Sequence, residues 1–467
     1  MADEGLEALV SPQSVAVVGA SPKQATVGYV LFENMANRFK GKAYFVNPKY
    51  DVVEMWGKQF KFYKSISEID DKIDVVVVAV PAQVVPHVLE EAGRKGAKAA
   101  IIISSGFAEV GNKELEDEVK AVAKSYGMRV LGPNCIGVYN AFTGFDTVFL
   151  PAERAGRPPA GPLALISQSG AVAASIMDWT ARRNIGLSVV VNYGNKADVG
   201  DVELLRHFAE DEKIRVVTIY IEGFKYPGEA KRFLEVAGEV SKKKPVIAYK
   251  AGRSSAAQRA VKSHTAALAG SYEMYRALFR QAGIIEASNL REMFDMAKAL
   301  AMQPLPKGNR VLVITDSGGM GIQAVDMLEG LGLEVPEIPA SIQRELRREL
   351  LPFAATTNPV DVTGSATDQH YKVALEALLP TAFFDMALVV TLMQVPGLTQ
   401  NLAEYIIDAK RLRKPIVVVN FGGSKMVQDF TKALEDAEIP TYSTPDRAAK
   451  ALWALYEYAK IRGVVRT

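Results

Sequence analysis

Short runs of apolar residues alternate with amphipathic segments along the whole chain. The first runs are SVAVVGA (14–20), AYFVN (43–47), DVVVVAV (74–80) and AAIIIS (99–104). Continuous apolar runs of this length are typical of strands that are buried on both faces of a parallel sheet. Between them, residues 84–96 and 112–127 repeat apolar side chains at helical spacing and end in glycine. This alternation predicts a doubly wound α/β domain.

Two segments rich in proline and glycine interrupt the alternation, PAERAGRPPAGP (151–162) and QPLPKG (303–308). Such composition is typical of linkers between domains. Strands and helices then resume, beginning with PLALIS and RVLVITD respectively. We therefore predict three open parallel-sheet domains, at residues 1–150, 160–303 and 308–467.

Composition and charge exclude several classes of protein. The 467 residues include 55 basic and 53 acidic ones, so no basic field indicates nucleic-acid binding. The longest apolar runs fall far short of the roughly 20 residues that a membrane span needs. The sequence MADEGLEALV lacks the basic start and apolar core of a signal peptide. The single cysteine, Cys135, excludes an internal disulfide and a multi-cysteine metal site. We expect a cytoplasmic protein with no metal site of its own.

The turn after the first strand suggests a ligand that carries phosphate. Gly19 ends the strand, and Gly28 lies near the first turn of the next helix, where free N–H groups can bind phosphate. The G-x-G-x-x-G fingerprint is absent, and the second strand ends in Asn47-Pro48-Lys49 instead of the acidic residue expected for NAD. A lysine at this place favours a phosphate-bearing ligand, and an ordinary loop with a surface lysine is the alternative.

Two later strands each lead through a small-residue turn into a helix, in SQSG (167–170) and DSGG (316–319). Such helix starts carry roughly half a positive charge and suit an anion. One of the four histidines, His264, lies in the small-residue segment KSHTAALAG (262–270). We expect His87 and His207 to lie on helix surfaces, and His370 is the second candidate for a functional histidine.

Together these motifs resemble those of a known family, the α subunits of ADP-forming acetyl-CoA synthetases, which are relatives of succinyl-CoA synthetase. The matching motifs are, in order, VVGAS (17–21), NPK (47–49), LGPNCIG (131–137), SQSGA (167–171), YIEG (220–223) and KSHTAALAG (262–270). TDSGGMG (315–321) and TTNPVDVTG (356–364) resemble the carboxy-terminal domain of the succinyl-CoA synthetase β subunit. The resemblance implies an N-terminal Rossmann-like CoA-binding domain followed by two flavodoxin-like domains.

The resemblance also implies roles for individual residues. His264 would be the phosphorylated histidine, and Glu222 would orient and stabilise its ring. The phosphoryl group would lie against two helix N-termini, with Asn195 as a further contact to phosphate or to the acyl group. The residues implied for the helix N-termini are Ser169, Gly170, Ala171, Gly318 and Gly319. The residues implied for CoA are Gly19, Ser21, Gly28, Lys49, Pro81, Ser104 and Ser105.

The implied reaction is reversible and turns acyl-CoA, phosphate and ADP into a small carboxylic acid, CoA and ATP through an acyl phosphate and a phosphohistidine. No segment resembles an ATP-grasp domain, so we expect the nucleotide, ADP or GDP, and its Mg²⁺ on a separate β subunit of an α2β2 or larger assembly. The acyl group is left open. A non-catalytic CoA-binding regulatory protein and an NAD-dependent oxidoreductase are the alternatives. The intact His264, Glu222 and SQSG argue against the first, and the missing fingerprint argues against the second.

Overall fold

A computed structural model describes residues 3–226, 228–259 and 271–465. By its internal contacts the chain divides into two compact units, Met1–Glu286 and Ala287–Thr467. The first unit contains two sheets and the second contains one, with helices between the strands. The predicted α/β class with three mostly parallel sheets is therefore confirmed.

The first sheet follows the predicted apolar runs. It has the order β3-β4-β2-β1-β5-β6-β7, and all neighbours pair in parallel except β3 and β4, which form an antiparallel hairpin. The chain leaves β1 on one side and returns on the other at β5, so the sheet has its switch point between these strands. The strands are β1 Ser14–Val18, β2 Lys42–Val46, β3 Val52–Met55, β4 Lys58–Tyr63, β5 Val75–Val78, β6 Ala99–Ile102 and β7 Arg129–Leu131, and the helices are Glu4–Val10, Val27–Asn37, Val85–Arg94 and Lys113–Ser125.

The second sheet has the order β13-β12-β11-β9-β10-β8, and β8 alone is antiparallel to its neighbour. The chain passes from β9 to β10 and then returns to the other side of β9 at β11, which places the switch point between β9 and β11. The strands are β8 Gly137–Asn140, β9 Leu163–Ser167, β10 Leu187–Asn192, β11 Val216–Ile221, β12 Val246–Lys250 and β13 Ile285–Glu286, and the helices are Gly170–Arg182, Asp201–Glu210, Glu229–Ser241 and Tyr272–Ala282.

The second unit is built on a parallel sheet of order β15-β14-β16-β17-β18. Its strands are β14 Val311–Thr315, β15 Val360–Asp361, β16 Met386–Thr391, β17 Ile416–Asn420 and β18 Thr441–Tyr442. Its helices are Leu290–Met302, Gly318–Gly330, Ala340–Glu349, Asp368–Leu378, Leu402–Asp408, Lys425–Asp436 and Pro445–Ile461. None of the helices in the described parts of the chain is long and apolar enough to cross a membrane.

The predicted domain limits stay a prediction, and two features of the fold bear on them. Strand β8 lies within the predicted domain 1–150 but pairs with β10 of the second sheet, because hydrophobic patterning does not determine which sheet a four-residue strand joins. Helix Leu290–Met302 lies within the predicted domain 160–303 but packs in the second unit, where the carboxylate of Asp295 pairs with the Arg447 guanidinium at 2.6 Å.

The predicted linker 151–162 is anchored to the fold. The Arg157 guanidinium pairs with the Asp146 carboxylate at 2.6 Å, and both side chains are buried. Arg157 also donates to the carbonyl oxygens of Val148 and Leu150. Burial raises the pKa of Asp146, and the Arg157 charge opposes that rise. The Arg157 charge therefore offsets part of the cost of burying the Asp146 carboxylate.

We predict that Arg157→Met lowers the free energy of unfolding by about 3–5 kcal/mol, because it leaves Asp146 as an unpaired buried charge. Urea denaturation measures the loss. The double variant Asp146→Asn/Arg157→Met should recover part of it, since no buried charge remains. The exposed Arg154→Met is the control. An Arg157→Met protein as stable as the Arg154→Met protein would contradict this account.

Candidate active site

Two glycines bring the first strand turn and the next helix into close contact. Gly19 has φ +94°, and a Cβ there would lie 2.3 Å from the carbonyl oxygen of Ala79. A Cβ on Gly28 would lie 2.1 Å from the carbonyl oxygen of Gly19. Neither position has room for a side chain, so helix Val27–Asn37 begins directly against the turn. This backbone can approach a ligand closely and present N–H groups to a phosphate.

Polar side chains shape the loops at the same edge of the first sheet. The Ser21 hydroxyl accepts from the backbone N–H of Lys23 at 3.1 Å. The Asn47 side chain donates to the Ala20 carbonyl oxygen at 2.8 Å and accepts from the Lys49 N–H at 3.1 Å. Lys49 is exposed, and its ammonium forms no ion pair with any residue that the structure describes. Its charge is therefore available to an anionic ligand.

A cavity of about 920 Å³ lies within the first unit, between loops of its two sheets. This is large enough for a small-molecule ligand. The predicted residues in its wall are Ser104, Ser105, Ser169, Gly170, Ala171, Asn195 and Glu222. Val27, Ala79 and Val80 also line it. The other predicted CoA residues lie outside this wall: Gly19 and Ser21 follow β1, Gly28 lies at the start of helix Val27–Asn37, Lys49 follows β2, and Pro81 follows β5.

Helix Gly170–Arg182 begins in the wall of this cavity. Ser169 caps the helix, and its hydroxyl accepts from the Val172 N–H at 3.4 Å. The first N–H groups of the helix, at Gly170 and Ala171, have no acceptor within the helix. A Cβ on Gly170 would lie 3.1 Å from the Ile136 side chain, so glycine fits the tight turn. The arrangement provides N–H donors for an anion.

Glu222 follows β11 directly and is 8% exposed. Its backbone N–H donates to the side-chain oxygen of Gln168 at 2.8 Å. Its carbonyl oxygen accepts from the buried Lys250 ammonium at 2.8 Å, which also contacts the Ala251 carbonyl oxygen. Burial lowers the pKa of Lys250 to about 8, and the Glu222 carboxylate opposes that shift. The backbone that carries the Glu222 carboxylate is therefore fixed from two sides.

A polar network joins the two sheets beside the cavity. The Asn195 side-chain amide donates to Glu109 at 2.5 Å and to Glu116 at 3.0 Å. The Lys225 ammonium donates to Glu116 at 2.9 Å and to the carbonyl oxygen of Asn195 at 2.5 Å. Glu116 is 1% exposed. Both amide hydrogens of Asn195 are occupied, so a contact from this amide to phosphate would require one of these bonds to exchange.

Glu109 is a second carboxylate in the cavity wall, on the one-turn 3₁₀ helix Ala108–Val110. Partial burial would raise its pKa. Hydrogen bonds from the Gly106 N–H and the Asn195 amide outweigh burial and hold the pKa of Glu109 below its usual value. The cavity wall therefore carries the Glu109 and Glu222 carboxylates together with the ammonium groups of Lys196 and Lys225.

The remaining predicted residues lie elsewhere. His264 lies outside the described residues. Gly318 and Gly319 begin helix Gly318–Gly330 in the second unit, where a Cβ on Gly318 would lie 3.0 Å from Asp361. In the same unit the Nδ1 atom of His370 accepts from the Thr367 N–H at 2.9 Å and caps helix Asp368–Leu378. This structural role weakens His370 as an alternative carrier of phosphate.

Sequence reasoning missed several residues of the site, namely Glu109, Glu116, Gln168, Lys225 and Lys250. Gln168 lies within the recognised motif SQSG, so the motif itself was the available signal. The others act through contacts between segments that are distant in sequence, and periodicity carries no signal for such contacts. Cys135 also lines the cavity, and burial raises the pKa of its thiol to about 12.

Three family models match successive parts of the chain. They are a CoA binding domain over residues 13–141, a succinyl-CoA ligase like flavodoxin domain over residues 160–300 and a ligase-CoA domain over residues 311–466. The α subunit of ADP-forming acetate–CoA ligase I from Pyrococcus furiosus is 43% identical over 462 residues, which cover 97% of this chain and 98% of that subunit. The chain belongs to the family of ADP-forming acetate–CoA ligases.

Other members of this ligase family match over nearly the whole chain. The ADP-forming acetate–CoA ligase of Methanocaldococcus jannaschii is 40% identical over 98% of this chain, which spans only 64% of that enzyme's length. A solved structure also matches, that of acetyl-coenzyme A synthetase 1 from Ca. Korarchaeum cryptofilum in complex with phosphate and ADP. It superimposes with a TM-score of 0.90 at 40% identity, and the match covers 99% of this chain and 98% of that one. The predicted family, its CoA-binding domain and its flavodoxin-like domain are confirmed.

We predict that Lys225→Met lowers the free energy of unfolding by about 1.5–3 kcal/mol, because it removes a charge-assisted hydrogen bond from the buried Glu116 carboxylate, which keeps Lys120 at 3.5 Å. Urea denaturation of the full chain measures this change. The control is Lys231→Met, which changes an exposed lysine in the same part of the chain. If both variants lose equal stability, the ion pair between the two sheets contributes little.

Proposed function

We propose that this chain is the α subunit of an ADP-forming acyl-CoA ligase, which converts acyl-CoA, phosphate and ADP into a carboxylic acid, CoA and ATP. The cavity is the main observation in support. It connects loops of the CoA-binding sheet to a helix N-terminus and a buried carboxylate of the next sheet. The full-length likeness to the P. furiosus α subunit supports the same reading. The retained Glu222 and SQSG motif give no support to a non-catalytic regulator.

The first chemical step takes place between phosphate and the thioester. A phosphate oxygen attacks the acyl carbonyl carbon, a C–O bond forms, the C–S bond breaks, and the CoA sulfur leaves with the electron pair and takes up a proton. The chain would bind CoA along Gly19, Ser21, Gly28, Lys49, Pro81, Ser104 and Ser105. The N–H groups of Gly170 and Ala171, behind the Ser169 cap, would hold the phosphate oxygens without adding a nucleophile that competes with phosphate.

The second step transfers the phosphoryl group to His264. A neutral imidazole nitrogen attacks phosphorus, an N–P bond forms, and the acyl carboxylate leaves with the electrons of the broken P–O bond. Histidine suits this role because its unperturbed pKa of about 6.5 leaves it neutral near pH 7. The Glu222 carboxylate would hold the other ring nitrogen and stabilise the cation that forms. Gly318 and Gly319 would provide the second helix N-terminus, and Asn195 would contact phosphate or the acyl group.

The third step needs a partner. ADP with Mg²⁺ would accept the phosphoryl group from His264 on an ATP-grasp β subunit, in an α2β2 or larger assembly. Two observations support a separate partner: the P. furiosus relative is itself called a subunit, and the longer M. jannaschii enzyme extends beyond the part that this chain matches. We take acetate or another small carboxylic acid as the product, and a panel of acyl-CoAs would identify it.

We predict that the chain, incubated with its acyl-CoA and phosphate, gains one acid-labile, base-stable phosphoryl group on His264 without the partner. His264→Asn keeps the size of the side chain but cannot accept a phosphoryl group, so it should abolish both the label and ATP formation. Radiolabelled phosphate and mass spectrometry measure the label. Glu222→Gln should slow labelling and leave CoA binding intact, because the imidazolium loses its counter-charge.

Two outcomes would count against the carrier. ATP formation at the normal rate by the His264→Asn protein would contradict the phosphohistidine, since phosphate would then reach ADP by another route. A label on another residue would keep the reaction but move the carrier. His207→Asn is the matched control and should gain the label as the wild-type chain does. His207 lies on helix Asp201–Glu210 beside Glu7 and outside the cavity wall.

We predict that Lys49→Ala weakens CoA binding by about 1.5–3 kcal/mol, because it removes from the proposed site of the CoA phosphates an ammonium that has no ion pair among the described residues. Isothermal calorimetry with CoA measures the change, and the affinity for phosphate should stay the same. Lys72→Ala is the control, because Lys72 is also exposed but precedes β5 at the opposite edge of the sheet. Equal effects of the two substitutions would place the CoA phosphates elsewhere.

A further inference from the structure

Gln168 connects the turn after β9 to the residue after β11. Its side-chain oxygen Oε1 accepts from the backbone N–H of Glu222 at 2.8 Å and from that of Gly223 at 3.1 Å. Its own backbone N–H donates to the Tyr220 carbonyl oxygen at 3.1 Å. The Asn192 side chain donates to the Gln168 carbonyl oxygen at 3.2 Å. Every hydrogen-bonding group of Gln168 except the side-chain NH₂ is therefore used within the protein.

The orientation of this amide follows from its partners. A backbone N–H can only donate, so the atom that faces Glu222 and Gly223 must be the oxygen. The reversed amide would place its NH₂ group against two donors, and it is excluded on that ground. The nitrogen Nε2 is therefore the end of the side chain that points away from the two N–H groups. Gln168 lines the cavity and is half-buried.

The Nε2 atom makes no hydrogen bond with any residue in the described ranges 3–226, 228–259 and 271–465. An amide NH₂ held in place by its own oxygen, with both hydrogens unused, is a pre-oriented donor. It lies one residue before the helix cap Ser169, beside the N–H groups of Gly170 and Ala171. Gln168 and the first residues of the helix therefore line the same cavity.

We propose that the Gln168 NH₂ group is a ligand of the phosphate bound at the N-terminus of helix Gly170–Arg182. This proposal rests on the function proposed above and adds a residue to its phosphate site. The position of this donor is the reason. Gln168 lines the same cavity as Gly170 and Ala171, and the wall also carries the carboxylates of Glu109 and Glu222 and the ammonium groups of Lys196 and Lys225. A neutral amide supplies donors to a phosphate oxygen there without adding a further charge.

Two substitutions separate this role from a structural one. Gln168→Glu keeps an oxygen for the N–H groups of Glu222 and Gly223 but replaces the NH₂ donor with a second carboxylate oxygen. Gln168→Met has a similar length and removes both functions. Gln59→Glu adds the same charge at an exposed position of β4 and serves as the control. All variants are made in the full chain.

The proposal can be tested without turnover by measuring phosphate binding to the isolated chain. Calorimetry and the ³¹P line width of inorganic phosphate report this binding. We expect Gln168→Glu and Gln168→Met each to weaken phosphate binding by about tenfold to a hundredfold, the range for a lost hydrogen bond to a charged group. CoA affinity and the thermal midpoint of the Gln168→Glu protein should match those of the Gln59→Glu protein. With the partner added, the KM for phosphate should rise and the KM for acyl-CoA should not.

The outcomes that overturn the proposal differ from those that overturn the function. Normal phosphate binding by the Gln168→Glu protein, with a defect only in the Gln168→Met protein, would mean that Gln168 positions Glu222 and binds no ligand. A raised KM for acyl-CoA alone would assign the NH₂ group to the thioester carbonyl and exclude phosphate. A wild-type chain that binds phosphate but turns over no acyl-CoA with its partner would overturn the proposed function and leave the Gln168 assignment standing.

Discussion

Parallel pairing of β9 with β11 places Ser167 beside Tyr220, so the two chain segments leave the sheet at the same height. The next residue on one side is Gln168 and the residues on the other are Ile221 and Glu222. The amide of Gln168 spans the gap and fixes the two turns together. The helix N-terminus and the Glu222 carboxylate owe their proximity to this pairing.

The strand turns of this site were predictable, because each depends on local features. Apolar runs ending in glycine or serine give the strand ends, and parallel topology brings those ends to one edge. The antiparallel strand β8 and the buried pair of Asp146 and Arg157 were not predictable. Both depend on which distant segment a short stretch contacts, and hydrophobic periodicity gives no information about such long-range contacts.

The roles of polar side chains are likewise predictable from sequence only where they depend on local features. Lys49 follows its strand in a recognisable loop, and the structure shows it exposed and without an ion pair in the described residues, as a ligand for an anion should be. Asn195 also follows its strand, but its amide is occupied by Glu109 and Glu116 from the first sheet. A sequence shows that an amide is present, whereas only the fold shows which neighbours its hydrogens meet.

The buried thiol of Cys135 has a consequence for selectivity. The cavity proposed to receive an activated acyl group has the chain's single cysteine in its wall, and a thiolate there would capture the acyl group by exchange with the thioester. Burial raises the pKa of this thiol to about 12, so the thiolate is scarce near pH 7. The donor of the Cys135 thiol is directed to the Ile102 carbonyl oxygen at 3.4 Å. Burial of the thiol therefore disfavours acyl exchange between Cys135 and a thioester in this cavity.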